Sequence, residues 1–311
     1  MDGVLINGSA AVLLAAYGAA ENLDEVPGYL RHVLGGREVP ERLVSDVRER
    51  YRAIGGRSPL VDITRAQAGA LEAELGAGLR VRIGMKHSAP TIRSAVEAAA
   101  ADGCRTLVVL AMSPYYSKLS VGAYLHAADG AAAACGGGLR TLGVESWHDH
   151  PQLIEALADR VREAGARVPA GLRPETALLM TAHSLPERAA PAGDPYPESL
   201  RATAEAVARK TGFTRWSFAY QSRGGSGKEA WLGPDAGEVL EQLARDGIRS
   251  VILSPIGYLA ENLETLYDDD ILYRAAAEKA GMRFERAAAL NDHPRLIAAL
   301  ADIVRGKLAA A

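Results

Sequence analysis

Two residues of the sequence combine a side chain suited to chemistry with a position at the end of a predicted strand. His183 stands in TAHSLPE, directly after an apolar run, where an imidazole can serve as a base or as a metal ligand. Glu264 stands in YLAENLETLYDDD, after a second apolar run, and Asp268 would share its helical face. An imidazole and a carboxylate together favour a divalent transition metal that is held loosely. A helix-capping or core histidine and a solvated acidic helix are the alternatives.

The composition excludes several other kinds of site. The 311 residues include 38 acidic and 35 basic side chains, and this balance of −3 argues against a nucleic-acid partner bound through bulk charge. The two cysteines, Cys104 and Cys135, are too few for a disulfide framework, a cysteine zinc site or an iron–sulfur cluster held by four thiolates. The motifs HExxH, GxxxxGK[ST] and GxSxG are missing, which argues against metalloprotease, NTPase and α/β-hydrolase chemistry.

The hydrophobic pattern predicts a cytoplasmic protein without membrane insertion. No apolar run approaches the ~20 residues that a bilayer span requires. The segment before Ala11 lacks the basic cluster of a signal peptide, and the apolar stretch that follows ends in a polar loop, as expected of a strand. We therefore expect a soluble chain.

Short apolar runs alternate with longer amphipathic runs along the chain, and this alternation indicates an α/β protein. The short runs predict buried strands at residues 11–16, 81–84, 106–111, 177–181, 218–220 and 250–255. The longer runs predict helices at residues 40–54, 64–75, 89–102, 151–164, 196–211, 235–246 and 292–307. Buried strands that alternate with helices are typical of parallel sheets covered by helices.

The sequence also repeats itself weakly. The segment VLLAAYG, which contains Tyr17, parallels LLMTAHS, which contains His183, and each brings a polar ring to the end of a strand. CRTLVVLAMSPYYSKLS (104–120) similarly parallels IRSVILSPIGYLAENLE (248–264). The repeat predicts two pseudo-symmetric halves, residues 1–150 and 151–311, each with a parallel sheet. Because ligands bind beyond the carboxyl ends of parallel strands, we expect the two halves to face a shared cleft.

Ten short motifs, in order along the chain, resemble those of the ferrochelatases. The C-terminal half contains TAHSLPER, GDPYPESL, WLGPD, SPIGY and LETLYDDD, and the N-terminal half contains AYG, RYRAIGGRSPL, GMKH, SVGAY and ESW. The resemblance extends from about Val12 to the C-terminus. It implies a lyase of haem biosynthesis that inserts ferrous iron into a porphyrin, with two Rossmann-like halves around a porphyrin cleft. Iron and porphyrin would be substrates, no organic cofactor is needed, and a monomer is expected.

The same resemblance implies roles for individual residues. His183 and Glu264 match the histidine and glutamate of the iron site, so both are expected to bind the metal and to act in catalysis. Tyr17 matches a tyrosine that can ligate the product iron axially. The groups that hold the porphyrin propionates match Arg50, Tyr51, Ser58 and Tyr124. Arginine can bind a carboxylate through two hydrogen bonds, and hydroxyl groups can complete its shell. A solvated arginine and core tyrosines are the alternatives.

The charge of one segment favours the coproporphyrin III type within this family. Where membrane-associated ferrochelatases have an apolar lip, the segment GGREVPERLVSDVRER (35–50) is dense in charge. The C-terminal cysteines that hold an iron–sulfur cluster in some members are missing, so no cluster is expected. We therefore predict coproporphyrin III as the porphyrin, as in the soluble enzymes of Gram-positive bacteria.

Three residues depart from the family pattern. Asn262 stands where a histidine is usual, two residues before Glu264, and Leu272 replaces a carboxylate eight residues after that glutamate. Leu34 replaces a propionate-binding arginine, and Arg37 could substitute for it. The first departure could alter the orientation of the glutamate, and the third bears on which porphyrin is bound.

Three other functions remain open. A protoporphyrin IX ferrochelatase would share the chemistry. A sirohydrochlorin chelatase would share the two halves, although the segments SPYYS and LGPD argue against it. A porphyrin or haem carrier without turnover would be consistent with Asn262 in place of the usual histidine.

Overall fold

The computed structural model describes residues 10–189, 193–224 and 229–311. The segment before Ala11, for which the sequence predicts no signal peptide, lies outside these ranges except for Ala10. Contacts between residues divide the chain into two units, one formed by Met1–Trp147 with Asn291–Ala311 and the other by His148–Leu290. Within the described ranges, no helix is both long enough and apolar enough to cross a membrane.

A four-stranded parallel sheet forms the centre of the first unit. Its strands are β1 (Ala10–Ala16), β2 (Arg80–Met85), β3 (Thr106–Ala111) and β4 (Arg140–Val144). They lie in the order β2-β1-β3-β4. All seven side chains of β1, AAVLLAA, are buried, as expected of a strand that lies between two helical layers. The helices are α1 (Val26–Val33), α2 (Glu41–Ala53), α3 (Leu60–Leu75), α4 (Ile92–Ala101) and α5 (Val121–Ala134).

The second unit contains a parallel sheet of the same size. Its strands are β5 (Thr176–His183), β6 (Trp216–Gln221), β7 (Ser250–Ser254) and β8 (Arg283–Arg286). They lie in the order β6-β5-β7-β8. The helices are α6 (Pro151–Arg167), α7 (Tyr196–Thr211), α8 (Ala236–Arg245), the π-helix Thr265–Tyr273 and α9 (Arg274–Lys279), with short 3₁₀ helices at Ala170–Glu175 and Glu187–Ala189.

The two sheets have the same strand order relative to the sequence. In each, the first strand lies between the second and the third, and the fourth strand lies beyond the third. The predicted α/β fold with two pseudo-symmetric halves is therefore confirmed. The strand order reverses beside β1 in one sheet and beside β5 in the other. In open parallel sheets, the crevice at the carboxyl ends of the strands on either side of such a reversal is the usual place for a ligand.

The last strand of each sheet is not predicted by the hydrophobic pattern. β4 is RTLGV and β8 is RFER, and each begins with an exposed arginine. Both lie at a sheet edge, where one side of the strand has no neighbour. Short edge strands of this kind carry charged residues and lack the continuous apolar run that marks a buried strand.

The last helix, α10 (Pro294–Ala309), belongs to the first unit in space. It packs against α3 and β3, although the sequence-based division placed residues 151–311 together. Its apolar face is buried from Leu296 to Val304, and the chain just before it is fixed by Gln67, whose Nε2 donates to the carbonyl of Asn291 at 2.7 Å. The periodicity of a helix predicts that one face is buried but does not identify the partner of that face.

One carboxyl group lies fully buried in the second unit. Asp269 is 0% exposed, and among the described residues neither of its side-chain oxygens has a hydrogen-bond partner. Burial raises the pKa of this carboxyl well above its usual range, and the negative charge of Asp268 adds to the rise. The positive charge of Arg286 and a weak polar contact with the side chain of Gln221, which falls outside hydrogen-bond geometry, offset the rise only in part. The folded protein therefore holds the Asp269 proton more tightly than the unfolded chain does. As a result, the free energy of unfolding falls as the pH rises above about 3.9 toward the folded-state pKa.

We predict that Asp269→Asn makes the protein more stable at neutral pH. The amide has nearly the shape of the acid and never ionises, so the variant avoids the free-energy cost of keeping a buried carboxyl protonated at a pH above its usual pKa. The gain in the free energy of unfolding, measured in urea, should be largest near pH ~8 and should shrink toward pH ~5.

Asp270→Asn is the matched control for this prediction. Asp270 is the next residue, but its carboxylate binds the guanidinium of Arg286 at 2.9 Å. Loss of the Asp270 charge should therefore lower the free energy of unfolding both near pH ~8 and near pH ~5, because this charge is paired with Arg286. A destabilised Asp269→Asn protein at neutral pH would contradict the prediction.

Candidate active site

His183 is the last residue of β5 and is half-buried. Its Nδ1 lies 2.5 Å from the carbonyl oxygen of Ser184. A carbonyl oxygen can only accept a hydrogen bond, so Nδ1 carries the hydrogen of the neutral ring and Nε2 carries the lone pair. The local backbone thus selects the tautomer in which Nε2 can accept a proton or ligate a metal ion.

The backbone around His183 is fixed by contacts with neighbouring elements. The hydroxyl of Tyr196, at the start of α7, donates to the carbonyl of His183 at 2.9 Å. Ser184 donates from its backbone nitrogen to Gln221 and from its hydroxyl to Leu232, both at 2.8 Å. Gly257 packs closely against Ala182, the residue before His183. A Cβ added to this glycine would lie 2.5 Å from the Cβ of Ala182. The histidine therefore projects from a rigid strand end.

Glu264 lies at the start of a helical stretch that follows β7. Leu263 and Glu264 are already helical, and the π-helix continues from Thr265. Asn262 accepts a hydrogen bond from the backbone nitrogen of Thr265 through Oδ1, and its own nitrogen donates to the hydroxyl of Thr265, each at 3.0 Å. This reciprocal pair resembles a capping box, and asparagine is among the residues best suited to begin a helix. The departure at Asn262 therefore has a structural role of its own.

The acidic residues after Glu264 have different surroundings. Asp268 is buried and accepts a hydrogen bond from the hydroxyl of Ser222, which follows β6, at 2.5 Å. Leu272 is 45% exposed, so an apolar side chain faces solvent where the family pattern has a carboxylate. Tyr258 is buried nearby, and both burial and the charge of Glu264 raise the pKa of its phenol well above the usual range.

The first unit brings a group of polar rings to the carboxyl end of β1. Tyr17 follows β1 directly and is 42% exposed. Its ring lies 4.5 Å from the ring of His87, and Nδ1 of His87 is 2.9 Å from Nδ1 of His32. Burial, together with the charge of Lys86, lowers the pKa of His87 to about 4, so this histidine is neutral at neutral pH.

Tyr124 is buried in α5 close to the same group. The Nζ of Lys86 lies 5.7 Å from the centre of its ring. Burial raises the pKa of Tyr124, and the charge of Tyr17 adds to the rise. Lys86 and His87 stand in GMKH, a motif noted in the sequence, but no role was predicted for either residue.

The remaining predicted contacts lie in the last turn of α2 and just before α3. The hydroxyl of Tyr51, a buried residue of α2, accepts a hydrogen bond from the backbone nitrogen of Ala20 at 3.1 Å. Ser58 is buried before α3, and its hydroxyl accepts from the nitrogen of Leu60 at 3.4 Å. Arg50 is exposed on α2. Tyr51 is thus held beside the loop that follows Tyr17, whereas the serine hydroxyl is engaged locally.

Arg37 and Leu34 lie together after α1. The Nε of Arg37 donates to the carbonyl of Leu34 at 3.0 Å, and the arginine is exposed. In the described parts of the chain, no group of three or more histidine, cysteine, aspartate or glutamate side chains is arranged to hold a metal ion. The metal role of His183 with Glu264 therefore stays a prediction.

Comparison with known proteins assigns the chain to a family. The profile of the family described as ferrochelatase matches residues 9–308. The ferrochelatase of Herpetosiphon aurantiacus is 37% identical over 306 residues, which cover 97% of this chain and 100% of that protein. The coproporphyrin III ferrochelatase of Geobacillus kaustophilus is also 37% identical over 306 residues, which cover 96% of each protein.

A solved structure shares the fold at low sequence identity. SirB from Bacillus subtilis with Fe³⁺ matches with a TM-score of 0.60 and 14% identity, over 96% of this chain and 95% of that one. This likeness bears on the fold alone. The profile match and the two full-length relatives show more than the fold: this chain belongs to the ferrochelatase family of lyases.

Proposed function

We propose that this enzyme inserts ferrous iron into coproporphyrin III to give its iron complex. The observation that carries the proposal is the orientation of His183, whose Nε2 is left with a lone pair at the carboxyl end of β5. Several relatives at 35–37% identity, from Geobacillus, Anoxybacillus and Listeria, are named coproporphyrin III ferrochelatases. The cytoplasmic location, the monomeric state and the lack of an organic cofactor expected from the sequence belong to the same proposal.

The reaction exchanges two pyrrole protons for one metal ion at the centre of a stiff ring. In this proposal, the single lone pair of Nε2 of His183 contacts the incoming metal ion or, at a separate step, accepts one of the two protons, and the carboxylate of Glu264 assists in both and accepts the other proton. The hydrogen bond from Nδ1 to Ser184 stabilises the imidazole in the required tautomer. A positioned acid–base group contributes about 10²–10⁴-fold to a rate. Bending of the porphyrin, driven by contacts to its periphery, would supply much of the remainder.

The first unit would hold the porphyrin in this proposal. Tyr17 would face the ring and ligate the iron axially after insertion, since its phenol is exposed at the end of β1. Arg50 would bind a propionate through its exposed guanidinium. The hydroxyl groups assigned to complete the propionate contacts are those of Tyr51, Ser58 and Tyr124. Four propionates make coproporphyrin III more polar than protoporphyrin IX, which suits the charged helix α2.

A comparison of three porphyrins under anaerobic conditions tests the proposed function. Ferrous iron is offered with coproporphyrin III, protoporphyrin IX or sirohydrochlorin, and insertion is followed by absorbance. Faster insertion into coproporphyrin III is the expected result. A preference for protoporphyrin IX would overturn the substrate assignment, and tight haem binding without turnover on any porphyrin would favour a carrier.

His183→Ala should lower kcat at least ~100-fold while the affinity for porphyrin, measured by quenching of porphyrin fluorescence, stays close to that of the wild type. The loss follows from removing the Nε2 lone pair. His126→Ala, which removes an exposed histidine of α5, is the control and should keep full activity. Substantial turnover by the His183→Ala protein would rule out the assigned role.

Arg50→Ala should raise the apparent KM for coproporphyrin III about tenfold or more, because a hydrogen bond to a charged group contributes ~1.5–3 kcal/mol. Arg52→Ala is the matched control, since Arg52 is also an exposed arginine of the last turn of α2. Steady-state kinetics with coproporphyrin III and with protoporphyrin IX check the prediction. Equal KM values for the two variants would show that Arg50 does not bind the porphyrin.

A further inference from the structure

One arginine connects several parts of the stretch that carries Glu264. Arg286, the last residue of β8, is 11% exposed. Its Nε and one terminal nitrogen bind the two carboxylate oxygens of Asp270 at 2.9 and 2.8 Å. The other terminal nitrogen binds Oε1 of Glu261 at 2.8 Å. The guanidinium therefore contacts one carboxylate before the helical stretch and another in its middle.

Glu261 extends these contacts to the beginning of the helical stretch. Its Oε2 accepts a hydrogen bond from the hydroxyl of Thr265 at 2.6 Å, and its Oε1 also accepts from the backbone nitrogen of Ala289 at 2.9 Å. Thr265 in turn forms the reciprocal pair with Asn262. Glu264 lies between these two residues, so its backbone is fixed by hydrogen bonds on either side.

The geometry of this stretch explains why such a connection matters. A π-helix closes its turns with wider hydrogen-bonded rings than an α-helix; it is rare in proteins and is frequently found at functional sites. A planar guanidinium that binds a carboxylate at two points determines direction as well as distance. A buried ion pair adds little net stability, because desolvation offsets the attraction, but it can select one conformation over others.

We propose that Arg286 is a positioning residue for iron insertion: through Glu261 and Asp270 it holds the backbone of the helical stretch so that Glu264 is directed toward the metal. The inference rests on the function proposed above for Glu264. Arg286 acts through other residues and touches neither iron nor porphyrin. Removal of the Arg286 side chain should therefore lower kcat/KM for ferrous iron and leave the affinity for porphyrin unchanged.

A second arginine of the same strand offers a matched comparison. Arg283, the first residue of β8, also binds a carboxylate, but its partner is Glu285, which lies on the strand itself. Glu285 keeps a further partner in Arg167, at 3.0 Å, when Arg283 is removed. Arg283→Met thus removes an ion pair from β8 without touching the stretch that contains Glu264, and this pair is the more exposed of the two, with an arginine side chain that is 53% exposed against 11% for Arg286.

The test compares Arg286→Met with Arg283→Met in the full-length enzyme. For each variant, kcat and the apparent KM for ferrous iron are measured per folded molecule, and the dissociation constant for porphyrin is measured by fluorescence. Arg286→Met should lower kcat/KM for iron about 10–100-fold, the size expected when a reacting group is misplaced by about 1 Å. Porphyrin affinity should change less than ~2-fold, and Arg283→Met should match the wild type in both measurements.

Two further variants separate positioning from general loss of stability. Glu261→Gln has nearly the same shape as the wild type and keeps the test available if Arg286→Met does not fold; it should show the same iron defect. Leu240→Ala removes a buried side chain of α8, so it should lower the melting temperature without altering the KM for iron. An equal iron defect in Leu240→Ala would overturn the inference, because instability alone would then explain it.

A double variant distinguishes an effect of Arg286 that acts through Glu264 from an independent effect. If Arg286 acts through Glu264, Arg286→Met should cause little additional loss of activity in a Glu264→Gln background, whereas independent effects would multiply. Multiplied losses, or wild-type iron kinetics in Arg286→Met, would overturn the positioning role. A wild-type enzyme that inserts no iron would instead contradict the proposed function itself, so the two failures are distinguishable.

Discussion

The parallel pairing of one central strand in each unit is the constraint on which the rest of the structure depends. β1 is hydrogen-bonded to β2 and β3, and β5 is hydrogen-bonded to β6 and β7, so neither strand has a free edge over most of its length. Their apolar side chains are buried, and the first polar ring stands at the carboxyl end of each strand. A shift of one residue in register would turn Tyr17 or His183 to the opposite face.

The helical stretch after β7 contains three consecutive aspartates, and two of these neighbours have opposite surroundings. Asp269 is buried without a hydrogen-bond partner among the described residues, while Asp270 is bound by Arg286. The first raises the free energy of the folded state when it ionises, and the second is stabilised by its cation.

Departures from a family pattern need their own structural explanation. Asn262 replaces a usual histidine, yet it begins the helical stretch through reciprocal hydrogen bonds with Thr265, a task for which asparagine is well suited. At Leu272 an apolar side chain is exposed instead, and nothing in the structure accounts for it. The two departures therefore differ in kind, although the sequence alone presents them as equivalent changes.

The sequence by itself determined the alternation of buried strands and amphipathic helices, the repeat of two halves and the family motifs, because each of these is a local pattern. It did not determine the edge strands β4 and β8, the packing of α10 within the first unit, or the hydrogen bond that selects the tautomer of His183. Arg286 is 25 residues from Glu261 and 16 from Asp270 along the chain. Only tertiary packing decides such contacts, since periodicity shows that a side chain is buried but not which distant residue lies against it.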